Sequence, residues 1–160
     1  MKTIFKKFLL IVIPSAILIF LDQYTKMYAA SNFKTNKLII INDVLEFTYH
    51  ENKGAAFGIL QNQYIIFYIL TIVIMIFLLY FINKLELSKK NMPLFICIIL
   101  IISGAIGNFI NRLFDKYVID FIYFKPIDFP VFNLADTYIT IACFLFLFLS
   151  IFVYKDKEIL

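Results

Sequence analysis

Four ionisable residues stand in stretches that are otherwise apolar: Asp22, Arg112, Asp120 and Asp136. An ionisable group at membrane depth is costly unless paired or solvated, so each is a functional candidate. Asp120 is flanked by Val118, Ile119, Phe121 and Ile122, and Asp136 follows Phe132-Asn133-Leu134-Ala135. Two carboxylates brought together in a low-dielectric site cannot both ionise cheaply; one keeps a proton while the other stays basic near neutral pH. A water held between them loses a proton as it attacks a carbonyl, and the protonated partner donates to the oxyanion and the leaving amine. Asp120 and Asp136 are therefore predicted to form a catalytic pair suited to peptide hydrolysis. Each acid also has a plainer reading: a helix N-cap for Asp136 and a salt bridge to Arg112 for Asp120. The chain offers no other complete constellation. It lacks a Ser/His pair with an orienting third group, a reactive-cysteine setting and a phosphate-binding glycine loop.

Other polar residues fall into place around this pair. Within Gly104-Ala105-Ile106-Gly107-Asn108-Phe109-Ile110-Asn111-Arg112, Asn108 and Arg112 are four apart and project from one helix face. The glycines permit close helix packing beside it. Arg112 can donate to a carbonyl or orient a carboxylate, and Asn108 can bind an amide; the plainer reading of Arg112 is snorkelling at a helix end. Asp22 and Lys26, also four apart in acid-first order, read as a structural ion pair. Cys97 and Cys143 lie in apolar runs as small hydrophobes, and His50 is the single histidine. A metal site needs three or four donors, so neither metal nor cofactor is expected.

The elements that must position these groups are membrane helices. The 160 residues are 62% hydrophobic, against about 45–50% in soluble domains. Runs long enough to cross a bilayer occupy 4–21, 64–82, 93–109 and 138–154. The expected fold is an all-α, four-helix integral membrane protein in one domain, with a bend at Pro14. The first run reads as a retained helix rather than a cleaved leader, because Tyr28 stands where the cleavage pattern has a small residue. The amino terminus, the 84–90 loop and the tail after 154 are densest in lysine, which sets both termini on the cytoplasmic side and segments 26–63 and 112–137 outside. The net charge of +4 reflects that topology rather than a nucleic-acid surface.

Two β-like runs, 37–41 and 44–50, predict a small outward sheet. In the second, Leu45, Phe47 and Tyr49 alternate with Glu46, Thr48 and His50, as in a half-buried strand. The loop Asn52-Lys53-Gly54-Ala55-Ala56-Phe57-Gly58 that follows lets a peptide or lipid approach the backbone closely.

Taken in order, Leu21-Asp22-Gln23-Tyr24-Thr25-Lys26, the Asn52–Gly58 loop, Gly104 to Arg112, Val118-Ile119-Asp120-Phe121 and Phe132-Asn133-Leu134-Ala135-Asp136 resemble the successive motif blocks of signal peptidase II, the lipoprotein signal peptidase. The resemblance covers nearly the whole chain. It implies an aspartyl endopeptidase of the bacterial cytoplasmic membrane, working among membrane lipids with its active site on the outer side; a monomer is expected, although no residue pattern reports the oligomeric state. The implied reaction removes signal peptides from diacylglyceryl-modified prolipoproteins by cleaving before the lipidated cysteine. Asp120 and Asp136 match the family's catalytic pair. Asn52, Gly54, Asn108, Arg112 and Asn133 match positions that line the site, bind substrate or support the pair, and Asp22 and Lys26 match the supporting first block. Asn111 departs from the pattern, since the family generally has aspartate before the arginine. Two rival readings are a small proton-coupled multidrug transporter, which would carry its key acid deep within a span, and a non-enzymatic scaffold whose acids are caps and surface charges.

Overall fold

The computed structural model describes residues 2–55 and 58–154. Ala56 and Phe57 of the outward loop, and the basic tail used in the orientation argument, lie outside the described residues. Four helices carry the apolar runs: α1 (Lys2–Asn32), α2 (Tyr64–Lys84), α3 (Met92–Asp115) and α4 (Leu134–Phe148), the last continued by a π-helical turn over Leu149–Val153. Each is long and apolar enough to cross a membrane. The fold is thus the four-helix membrane architecture with a small sheet that the sequence predicts.

The helices nonetheless outrun the apolar runs. α1 passes through Pro14 uninterrupted and continues to Asn32, so Lys26 sits in helix where the outward segment was expected to begin. Thirty-one residues at about 1.5 Å each give about 46 Å, longer than the roughly 30 Å hydrocarbon core. α3 runs on to Asp115 and closes with Lys116 in the left-handed region (φ 66°), its N–H donating to the Arg112 carbonyl. α4 starts at Leu134, ahead of the apolar run, because Asn133 caps it.

α3 is the central helix and packs against α4, α1 and α2. Its buried face includes Ser103, Gly104, Ala105 and Gly107, small residues that let neighbouring backbones approach. A Cβ on Gly104 would collide with the Ala135 carbonyl oxygen and lie 2.6 Å from Ile139 Cγ1. α2 buries only Leu78. Its exposed Ile65, Ile69 and Ile76 suit lipid, which is as apolar as they are.

Strands β1 (Leu38–Ile41), β2 (Leu45–Asn52) and β3 (Val118–Phe124) form one antiparallel sheet in the order β1-β2-β3. β3 is the apolar run around Asp120, which its composition alone did not mark as a strand. The register opposes His50 to Asp120 and Asn52 to Val118. Phe47 packs with Ala29, Phe33, Ile119 and Phe121, tying the sheet to the end of α1. The simple alternation expected of β2 is corrected in one respect. Glu46 is its most buried residue (5% exposed) and pairs with Lys37 at 2.8 Å. β3 supplies the reason, since Tyr123 stands opposite Glu46 and a register shift lies between Phe47 and His50.

Gly104→Ala should force α4 away from α3 at the turn that carries Asp136. Overpacking of this kind costs about 1–3 kcal/mol. A lowered thermal-unfolding midpoint in detergent is expected, and an unchanged midpoint would show that the two helices have room to spare.

Candidate active site

The two acids reach one place from different elements. Asp120 comes from β3 and is 1% exposed. Its Oδ1 accepts from Asn133 Nδ2 at 2.6 Å and its Oδ2 from Asn52 Nδ2 at 2.9 Å. Asp136 is the third residue of α4. Its Oδ2 accepts from the Asn133 backbone N–H at 3.2 Å, while its own N–H donates to Asn133 Oδ1 at 3.0 Å, a reciprocal capping box. The cap is therefore Asn133, not Asp136, and Asp136 keeps Oδ1 for Asn108 Nδ2 at 2.7 Å. Asn133, with no exposed surface, joins both acids: its side chain bonds Asp120, and its backbone bonds Asp136.

Hydrogen-bond logic fixes the direction of these amides. Lys26 Nζ can only donate, and it meets Asn108 Oδ1 at 2.9 Å, so the Asn108 amino group turns to Asp136. The Asp136 N–H likewise claims Asn133 Oδ1, so the Asn133 amino group turns to Asp120. Behind them Lys26 and Asp22 form a buried ion pair at 2.8 Å, 1% and 0% exposed. Asp22 Oδ1 also accepts from the Ala135 N–H at 3.0 Å, which seats the first turn of α4. Gln23, not singled out in the sequence, adds donors to Asp22 Oδ2 and the Gly107 carbonyl, each at 2.9 Å. Its one sequence signal is its place beside Asp22 in the first motif block.

Arg112 answers neither plain reading. Among the described residues it forms no ion pair, and its half-buried side chain is held by protein groups. Its guanidinium lies 4.1 Å from the Phe67 ring centroid and donates to the Gly54 carbonyl at 2.8 Å. The Gly54 N–H donates to Asn52 Oδ1 at 2.9 Å, and a Cβ at this glycine would stand 2.5 Å from the Ile59 carbonyl oxygen. Asn111 accepts from Gln23 at 3.4 Å and donates to Asp115 at 3.5 Å.

Asp120, Asp136, Asn52, Arg112 and Phe67 line one cavity of about 440 Å³, together with Phe132, Ile139 and Thr140. Burial pushes the Asp120 carboxyl up to about 7, helped by the charge of Asp136; the amides of Asn52 and Asn133 and the charge of Lys26 pull the other way. A carboxyl that titrates near neutrality beside a second acid, in a cavity with apolar walls, is equipped for general acid and base work. His50 stands exposed beside Asp120 in the sheet. Among the described residues no three His, Cys, Asp or Glu side chains gather as a metal site.

The family profile described as Signal peptidase (SPase) II matches residues 14–152. The lipoprotein signal peptidase of Streptococcus thermophilus is 42% identical over 151 residues, covering 92% of this chain and 95% of its own. That of Geobacillus thermodenitrificans is 39% identical over 147 residues, covering 90% of each. A bacterial membrane enzyme solved by the in meso method at 2.3 Å superposes with a TM-score of 0.78 at 34% identity, over 93% of each chain.

Lys26→Met should leave the Asp22 carboxylate buried without its cation and Asn108 free to turn. Breaking a buried pair by removing one partner costs about 3–5 kcal/mol. The unfolding midpoint should fall sharply, and adding Asp22→Asn should restore part of it. If the single and double variants unfold alike, the pair is not the anchor described.

Proposed function

This chain belongs to the signal peptidase II family and is a membrane peptidase; from that premise we propose that it is an aspartyl endopeptidase acting on diacylglyceryl-modified prolipoproteins. It cuts the bond before the lipidated cysteine and releases the signal peptide. The observation that carries this reading is the convergence of Asp120 and Asp136, from β3 and α4, on a single cavity with apolar walls.

The chemistry follows from the pair. One carboxylate takes a proton from a water as its oxygen attacks the scissile carbonyl carbon. The other, protonated, gives its proton to the carbonyl oxygen. When the tetrahedral species collapses, the leaving nitrogen takes the proton now on the pair and the C–N bond breaks, while a hydroxyl of the gem-diol returns its proton to the other carboxylate as the carbonyl re-forms, so the pair is again singly protonated. Asn52 and Asn133 hold Asp120, and Asn108 and the α4 cap hold Asp136. Each acid is thereby fixed before substrate arrives. Arg112, bonded to the Gly54 carbonyl, borders the path of the extended peptide, while Phe132 and Ile139 offer apolar surface to the diacylglyceryl group. The orientation proposed has both termini in the cytoplasm and the sheet outside, so a lipidated substrate reaches the pair by diffusing in the outer leaflet.

Purified enzyme in lipid should shift a diacylglyceryl-modified prolipoprotein on a gel, and folded Asp120→Asn and Asp136→Asn variants should not. Cleavage by either variant at the parental rate would sink the dyad. Activity should also fall as pH rises through about 7, where Asp120 gives up its proton. The sign is that of an acid whose pKa burial has raised: the protonated form the mechanism needs is present below the limb and lost above it. Asn52→Ala removes a donor that favours the ionised form, so its limb should move to higher pH. A limb that stays put would show that another group sets it.

A further inference from the structure

Asn111, at the position where the family generally has aspartate, bonds Gln23 and Asp115, with no bond to Arg112 among the described residues, so something else must hold the arginine. Two contacts do: the Phe67 ring 4.1 Å from Cζ, and the Gly54 carbonyl 2.8 Å from Nη2. They lie on different elements, since Phe67 belongs to the first turn of α2 and Gly54 to the loop after β2. The neighbouring Tyr68 hydroxyl donates to the Arg112 carbonyl at 2.6 Å, so the same turn of α2 also grips the end of α3 through its backbone.

From Gly54 the path leads to an acid. The Gly54 N–H can only donate, and it holds Asn52 Oδ1 at 2.9 Å. The Asn52 amino group is thereby turned to Asp120 Oδ2, also at 2.9 Å. A guanidinium keeps its five donors in one plane, so whatever fixes that plane fixes where they point. An aromatic face does so, because its negative quadrupole attracts the flat cation.

We propose that Phe67 is a positioning residue: its ring sets the plane of Arg112, which clamps the Gly54 peptide and so presents the Asn52 amide to Asp120. This rests on the reading of Asp120 as one of the two catalytic acids. A leucine at 67 would fill similar space but offer no π-face, whereas a tyrosine would keep it.

Two readouts test the clamp, one of them independent of catalysis. Lys53 is exposed and precedes the clamped peptide, so trypsin nicking after Lys53 in the detergent-solubilised protein reports how firmly Gly54 is held. Phe67→Leu should be nicked about tenfold faster than the parent and Phe67→Tyr at the parental rate, the scale of a desolvated cation–π contact. On a diacylglyceryl-modified prolipoprotein, Phe67→Leu should lose about tenfold in kcat/KM while Phe67→Tyr stays within about twofold. Phe67→Leu added to Arg112→Ala should cost nothing further, since the two act as one unit. Leucine matching the parent in either assay, tyrosine failing as leucine does, or losses that multiply in the double variant would each overturn the proposal. A parent that cuts no lipidated substrate would sink the proposed function, while the nicking rates would still decide whether Phe67 holds the loop.

Discussion

The structure turns on the cost of placing charge where water is scarce. Asp22, Lys26, Asp120 and Asn133 are all nearly inaccessible, and an unpartnered polar group among them would cost more than most single packing contacts supply. Each therefore bonds another member of the same network. The ammonium of Lys26 is its centre: it neutralises Asp22, which seats the first turn of α4, and it turns the Asn108 amide, which aims a donor at Asp136. A cation with donors only and amides with one donor side and one acceptor side leave a single consistent arrangement.

That arrangement explains why the helices extend past their apolar runs. α1 must continue beyond residue 21 to deliver Lys26, α3 beyond 109 to deliver Arg112, and α4 must begin early enough to place Asp136 in its first turn. The apolar parts anchor the protein in lipid, and the polar extensions meet above them, closed off by β2 and β3. Because Asp120 comes from a strand and Asp136 from a helix, the pair exists only when sheet and bundle are docked. The packing of Phe47 and Phe121 against Ala29 and Phe33 is thus a condition of the site as well as of the fold.

Much of this was legible in the sequence for identifiable reasons. The four helices announced themselves because a bilayer demands long apolar runs, and β1 and β2 because their β-branched and alternating residues are flanked by turn formers. The acids stood out because charge is rare in such surroundings. β3 was less visible, since a fully buried strand lacks alternation and resembles any short apolar run. The burial of Glu46 escaped for a related reason: it depends on the strand that comes to lie opposite, more than seventy residues away in the chain.

By itself the sequence determined that this protein spans a membrane four times, carries a small sheet, and holds acids, asparagines and an arginine in the order of signal peptidase II. These properties follow from residue type and local spacing, which need no partner to be read. Only the tertiary structure decided that Asn133 rather than Asp136 is the cap, that Lys26 reaches Asn108, and that Arg112 rests on Phe67 instead of pairing with a carboxylate. The physical reason is that a side chain's partner in a low-dielectric interior is set by which donors and acceptors the fold brings within about 3 Å. Residues far apart in the chain supply most of them.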